Sequence, residues 1–190
     1  MRKRRGRTLR YGFSASLTEV DLAFSEPESG LSTLDFDKGI GFSFGTFGRL
    51  GFSRDRFGMQ SELELEFKQA SFRDSDCVNP CFAVDVEMLY VHLNLPRAMQ
   101  LRVSGIDWSL QAGPSVGLLI ASKAEWTLGY GQSGNLDLEP IEVGYVAGIE
   151  VAVTGRVHVG IRYHGGWTLS NNAVFQTNQR TTGIGAGMQF

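Results

Sequence analysis

Over residues 57–68 nearly every second position is apolar: Phe57, Met59, Leu63, Leu65 and Phe67, with Ser61 the polar member of the row. The positions between are Gln60, Glu62, Glu64, Glu66 and Lys68. Wound into a helix, this stretch spreads its glutamates around the circumference. Drawn out as a strand, it separates an apolar face from a charged one. The same period of two runs through residues 9–17, 40–52, 89–95, 108–120, 141–153, 157–164 and 183–190. Helical periodicity is poor nearly everywhere, so the sequence predicts an all-β chain of eight strands. In the fourth, Val84, Val86 and Met88 hold the parity opposite to Leu89, Val91 and Leu93. Either a bulge near Met88 flips the register, or residues 83–88 stand above the lipid, because Glu87 would otherwise face hydrocarbon.

The connections alternate in length. Residues 53–56 and 154–156 read as tight turns, whereas 25–38, 69–82, 124–139 and 165–180 read as long polar loops. The connection at 96–107 is longer than its side of the molecule calls for. Short turns at one end and long loops at the other describe an eight-stranded antiparallel up-and-down transmembrane β-barrel. With the periplasmic N-terminus usual for such barrels, the long loops face outside. Alternation also fits a soluble lipocalin-like barrel, whose interior would hold the apolar set. Residue size separates the two readings. The polar set is largely Gly and Ser with Glu, Arg and His, which suits a narrow lumen. The apolar set is bulky and places aromatics near strand ends, namely Tyr11, Phe52, Phe57, Phe67, Trp108, Tyr163 and Phe190, as an interfacial girdle would. The 24 glycines recur inside apolar stretches instead of forming a linker, where a small curved barrel has its bends and close approaches.

Charge divides the chain into a basic segment at residues 1–8 and a barrel domain at 9–190. Residues 1–10 hold six of the 18 basic side chains, Arg2, Lys3, Arg4, Arg5, Arg7 and Arg10, and the rest of the chain has 12 against 20 acidic groups, a net of −8. An acidic body argues against a nucleic-acid partner. No apolar run reaches the ~18 residues of a spanning helix. No apolar run of about 7–15 residues follows the basic segment, so the export signal of an outer-membrane protein is not legible there.

Three segments carry a resemblance. Ala112-Gly113-Pro114-Ser115-Val116-Gly117-Leu118-Leu119, Val146-Ala147-Gly148-Ile149-Glu150 and Ile161-Arg162-Tyr163-His164-Gly165-Gly166 resemble the PorT-like outer-membrane β-barrel domain family, where they fall on consecutive strands in this order. The family's final strand also ends in an aromatic residue, as Phe190 does here. The resemblance spans residues 9–190. It implies an eight-stranded barrel in the outer membrane of a Gram-negative bacterium, with no catalytic motif to transfer.

The candidate chemistry is that of an interior. The inward charges are Arg10, Arg49, Glu62, Glu64, Glu66, Lys68, Glu142, Glu150 and Arg162, with His92, His158 and His164. Of these, Arg49, Glu62, Glu64, Glu66, Glu150 and Arg162 are expected to form a polar network that fills the lumen, the alternative being a selective pore. Arg49 is the expected partner of the glutamate row. Cys77 and Cys81 lie in a long loop with no further Cys or His nearby. An oxidising compartment favours a disulfide between them, with free thiols as the alternative. His158 and His164 share a face with serines around them, so a lipid-modifying outer-membrane enzyme is a lesser alternative; the expectation is that no nucleophile elbow of the form G-x-S-x-G is present. They stand six residues apart, about 20 Å along a strand, too far to share an ion. The expectation is a structural or interaction protein without catalytic activity, cofactor or metal. Its partners are outer-membrane lipid and protein or surface partners at the outer loops, and it is a monomer.

Overall fold

The structure is a computed structural model that describes residues 8–25, 34–35, 37–52, 56–73, 82–128, 132–135, 138, 140–168 and 176–190. Cys77 and Cys81 lie outside the described residues. The strands are β1 (Thr8–Ser25), β2 (Leu34–Asp35), β3 (Asp37–Phe52), β4 (Phe57–Arg73), β5 (Phe82–Asn94), β6 (Arg97–Val103), β7 (Ile106–Leu128), β8 (Gln132–Asn135), β9 (Ile141–Ala152), β10 (Val157–Thr168) and β11 (Gln176–Gln189). All pairings are antiparallel, and β11 closes onto β1. β6 continues β5 in the same place between β4 and β7. The ladder is interrupted there by Pro96 and by Pro114 opposite Leu95, neither of which has an N–H to give; their carbonyls still accept from the Gln60 amide at 2.9 Å and the Leu95 amide at 3.0 Å. β2 and β8 are short additions to β1 and β7. The wall is therefore eight strands, which is the predicted fold.

The register fixes the shape. Stepping from partner to partner leads from Phe13 to Thr46, Leu63, Leu93, Val116, Val143, Trp167, Asn178 and back to Ala23. One circuit lands ten residues further along β1, from position 13 to 23. With about 3.3 Å per residue and 4.8 Å between strands, a stagger of ten on eight strands gives a tilt of about 41° and a backbone radius of about 8 Å. Side chains fill a cylinder of that width.

The faces settle which side is wet. Leu9, Tyr11, Phe13 and Leu17 on β1, Phe42 and Phe44 on β3, Leu63 and Leu65 on β4, and Ile184 and Met188 on β11 all stand exposed on the outside. Arg49, Glu62, Glu66, Lys68 and His92 are buried inside. A lipocalin-like barrel has the opposite arrangement, so that alternative does not describe this chain. Residues 9–17 of β1 make nine positions at this level, the length a tilted strand needs to cross a bilayer. Among the described residues, the one charge facing out within the band is Arg97, near the short-turn end, from where its long stem reaches headgroups.

Above the band the polarity inverts. On the outside come Glu19, Asp21, Lys38, Gln69, Asp85, Glu87, Lys123 and Glu125. On the inside come Leu22, Ala70, Val84, Val86, Met88 and Ala124, packed with Phe72, Leu119, Trp126 and Leu138. The strands thus run past the lipid as a water-facing extension with an apolar core. This explains why the loops are shorter than the sequence suggests: the apolar alternation ends near residue 17 of β1, but the strand continues to Ser25. It also resolves the parity of the fourth strand. β5 holds one face throughout, with Val84, Val86, Met88, Tyr90, His92 and Asn94 all inward. The bulge sits on its neighbour β7, where Leu89 faces Ala121 and Tyr90 faces Leu119. Residues 83–88 stand above the apolar band, with Glu87 opposite Lys123.

The connection at 96–107 is a further correction. The chain keeps pairing to Val103 and turns in two residues. Ser104 and Gly105 have φ of 52° and 82°, the double positive φ of a type I′ hairpin. Arg102 grips Asp107 across this hairpin at 2.7 and 2.8 Å. That hydrogen-bonded guanidinium holds the Asp107 carboxyl below its usual range. The proline and the flanking charges make this stretch resemble a loop in sequence.

The inversion has a measurable consequence. Leu63→Arg, at mid-band, should destabilise the barrel by about 2–4 kcal/mol, whereas Asp85→Arg in the extension should cost under about 1 kcal/mol. Urea titration of refolding into phospholipid vesicles measures both.

Candidate functional site: the polar lumen

Glycines on the inner wall make room for the large polar side chains. A Cβ at Gly117 would lie 2.6 Å from His92 Cε1, and one at Gly166 would overlap the Glu142 carboxylate. At Gly12 it would meet the ring of Phe47 at 2.7 Å. Phe47 faces inward near the short-turn end, with the Arg49 guanidinium 6.0 Å from its centroid; its parity with Ser43 and Gly45 could have shown this.

Two charged layers follow. In the layer nearer the short turns, Arg162 from β10 crosses the lumen to Glu62 on β4, with Nη1 2.7 Å from Oε2 and Nη2 3.0 Å from Oε1. Arg162 also lies 3.3 Å from Glu150 and 3.9 Å from Glu64. Arg49 does not take the glutamate row as expected. It binds Glu150 at 3.0 Å and donates to Gln60, which in turn donates to Glu62. The register places Arg49 opposite Gln60 on β4, two residues short of the row. Five of the six residues named from sequence thus meet around Arg162 and Arg49, and Glu66 stands apart in the second layer.

That second layer holds Lys68, 3.2 Å from Glu66 and 4.0 Å from Glu142. Lys68 also donates to Gln179 at 2.8 Å, and Gln179 donates to the Tyr90 hydroxyl at 2.8 Å. The lysine ammonium sits 4.9 Å from the Tyr90 ring centroid. His92 Nε2 is 3.1 Å from Glu66 Oε2, and the His92 and His164 rings are 4.7 Å apart, edge to face. His164 therefore meets His92 from the far wall, not His158 on its own strand.

Asn94 and Ser115 join the layers, and neither was singled out from sequence. Asn94 donates its amide to Glu64 at 3.0 Å, so its carbonyl is left to accept from Ser115 at 2.6 Å. With its proton committed, Ser115 accepts from His164 Nε2 at 2.9 Å. Against the expectation, two segments spell G-x-S-x-G: Gly41-Phe42-Ser43-Phe44-Gly45, extended within β3 with Ser43 buried, and Gly113-Pro114-Ser115-Val116-Gly117. An elbow requires a strained strand-to-helix turn with an exposed serine. Here the second segment is extended within β7, Ser115 is buried, and Glu142 approaches the same Nε2 at 3.8 Å. Nδ1, where a triad acid would sit, has no hydrogen-bond partner.

Free space is scarce. The cavities between the layers measure about 40 and 20 Å³, room for isolated waters. A wide vestibule of about 1110 Å³ opens at the short-turn end, lined by Arg10, Arg49, Arg56, Arg102 and Trp108.

Arg162→Ala leaves Glu62 buried and uncompensated, and should destabilise the barrel by about 3–5 kcal/mol. The paired change Glu62→Gln with Arg162→Met should recover more than half of that loss. Urea unfolding of the three chains in vesicles reads both numbers.

Comparison with known proteins agrees with this architecture. A family model described as outer membrane protein beta-barrel domain matches residues 2–172. Among solved structures, the attachment invasion locus protein Ail of Yersinia pestis is similar at 16% identity, over 95% of this chain and 98% of that one, with a TM-score of 0.49. Neisserial surface protein A is similar at 15% identity over 97% and 98%, with a TM-score of 0.39. The N-terminal barrel domain of Pseudomonas aeruginosa OprF is similar at 13% identity over 93% and 97%, with a TM-score of 0.29. A search of curated proteins finds no match. The chain belongs to the outer membrane protein beta-barrel domain family, and its apolar band lies in the bacterial outer membrane.

Proposed function

We propose that this barrel is a sealed anchor that holds its long-loop end outside the cell for protein or surface partners. The observation that carries this reading is the polarity inversion. The strands do not stop at the membrane surface but continue as an apolar-cored extension, a rigid base under the four long connections. Affinity would live in those connections, which are rich in Ser, Asn, Asp and Glu. The plugged lumen and apolar cap argue against a conducting or catalytic role. We also infer a monomer, with residues 9–190 as the barrel domain and residues 1–8 as a separate basic segment. A PorT-like affiliation rests on the three segments at 112–119, 146–150 and 161–166, and we carry over the barrel from it and no pathway.

The test separates anchor from pore. In planar bilayers the refolded chain should give no steady conductance steps. Replacing residues 26–33, 74–81 and 169–175 by short Gly-Ser turns should leave heat-modifiable gel migration intact while removing the binding of intact cells to host-matrix or abiotic surfaces. Steady ionic steps from the wild-type chain, or unchanged surface binding without the loops, would contradict the proposal.

A further inference from the structure

The second lumen layer is built like an ion site. Glu66, His92 and His164 each bring one donor atom to within 4.8 Å of the other two, and all three are buried. They come from β4, β5 and β10, so the barrel brings together three groups far apart in sequence. Neither ring nitrogen of His92 has a hydrogen-bond partner, although Nε2 lies close to Glu66, off the line of such a bond. His164 donates from Nε2 to Ser115, which leaves Nδ1 as a bare nitrogen with nothing donating to it. Both carboxylate oxygens of the adjacent Glu142 are likewise without a hydrogen bond. Three buried side chains beside Glu66 thus hold unused lone pairs. Orphaned polar groups at this depth are costly, and an ion or its water satisfies them together.

Charge supports the same conclusion. Beside the cluster the single cation Lys68 faces two carboxylates, Glu66 and Glu142, so the fixed charges of this layer leave one negative charge over. Lys68 lies beside the cluster, but Glu142 offsets it. We propose that Glu66, His92 and His164 bind a divalent transition metal, with Glu142 beside them as a fourth ligand or as an acceptor for a metal-bound water. Two imidazoles and a carboxylate suit zinc, and also cobalt, nickel and copper, over magnesium or calcium. Zinc–ligand bonds of about 2.0–2.1 Å require the donors to close to about 3.3 Å. The 20 Å³ cavity lined by all three leaves the side chains room to do so. Ser115 and Asn94 then orient His164 from behind, as hydrogen-bonded partners commonly do for metal-bound imidazoles. Such an ion ties opposite walls of the barrel together.

The test uses the full chain refolded in detergent micelles with Co²⁺ or Zn²⁺ alone. One Co²⁺ per barrel should bind with the visible bands of a low-coordinate nitrogen–oxygen site. His92→Gln and His164→Gln should each weaken binding by more than about 100-fold, beyond the loss from a supporting group, while His158→Gln should leave it unchanged. Heat-modifiable migration checks that each variant is folded. X-ray absorption of the zinc-loaded wild-type chain needs no variant: two imidazoles in the first shell support the site. Absence of stoichiometric Co²⁺ binding, a sulfur or all-oxygen shell, or bands that survive in the folded histidine variants would overturn the proposal. The anchor reading does not depend on the outcome.

Discussion

Closure of eight strands with a stagger of ten residues is the constraint on which everything else here depends. It fixes the tilt and, with it, a radius of about 8 Å. In a barrel that narrow, an inward side chain meets another side chain before it meets bulk water. The inner row Gln60, Glu62, Glu64, Glu66 and Lys68 would be unremarkable on a soluble sheet. Inside this cylinder its charges have to be answered: Arg162 reaches Glu62 from the opposite wall, and Lys68, at the end of the row itself, answers Glu66. The inner glycines follow from the same geometry, because side chains as large as His92 and Glu142 fit only where the neighbouring strand has no Cβ.

The closed wall also explains how one chain serves two solvents. Closure satisfies the backbone everywhere, so each strand is free to exchange the polarity of its faces along its length. Below the crossover, lipid is outside and polar groups are inside. Above it, water is outside and Leu22, Val86, Met88 and their neighbours form an ordinary protein core. The crossover falls at a common height: Val20 and Leu22 on β1, Ala70 on β4 and Met88 on β5 turn apolar inside where Asp21, Gln69 and Glu87 turn polar outside. The outer surface of the membrane is written into the chain as that change of phase.

Much of this was legible from the alternation. Eight strands, their order and the polar interior follow from a period of two, because on a sheet of fixed pleat the parity of a residue is its face. The strand ends were not legible, since apolar alternation stops where lipid does and the strands do not. Pro96 hid a strand because it interrupts the ladder without bending the chain out of it. The parity change in β5 left two alternatives, a bulge or a rise above the lipid, because apolar parity reverses in either case; the strand rises above the lipid, and the bulge lies in β7. Within the lumen, parity named the residues but not their partners. Partner choice depends on the stagger around the barrel, and nothing local to Arg49 or Arg162 encodes it. His92 and His164 are 72 positions apart and meet only because β5 and β10 face each other across the lumen.

The charge layers also have a role in folding. A strand that slips by one residue turns its apolar row inward, so hydrophobicity alone forbids odd slips. A slip by two keeps every face correct and is nearly invisible to lipid, because one leucine replaces another outside. Inside it is not invisible: moving β4 by two would set Glu64 where Glu62 meets Arg162, and Lys68 where Glu66 meets His92. The mixed row of glutamates ending in a lysine therefore distinguishes registers that the apolar row cannot. Lipid chooses the face, and the buried charges choose the register.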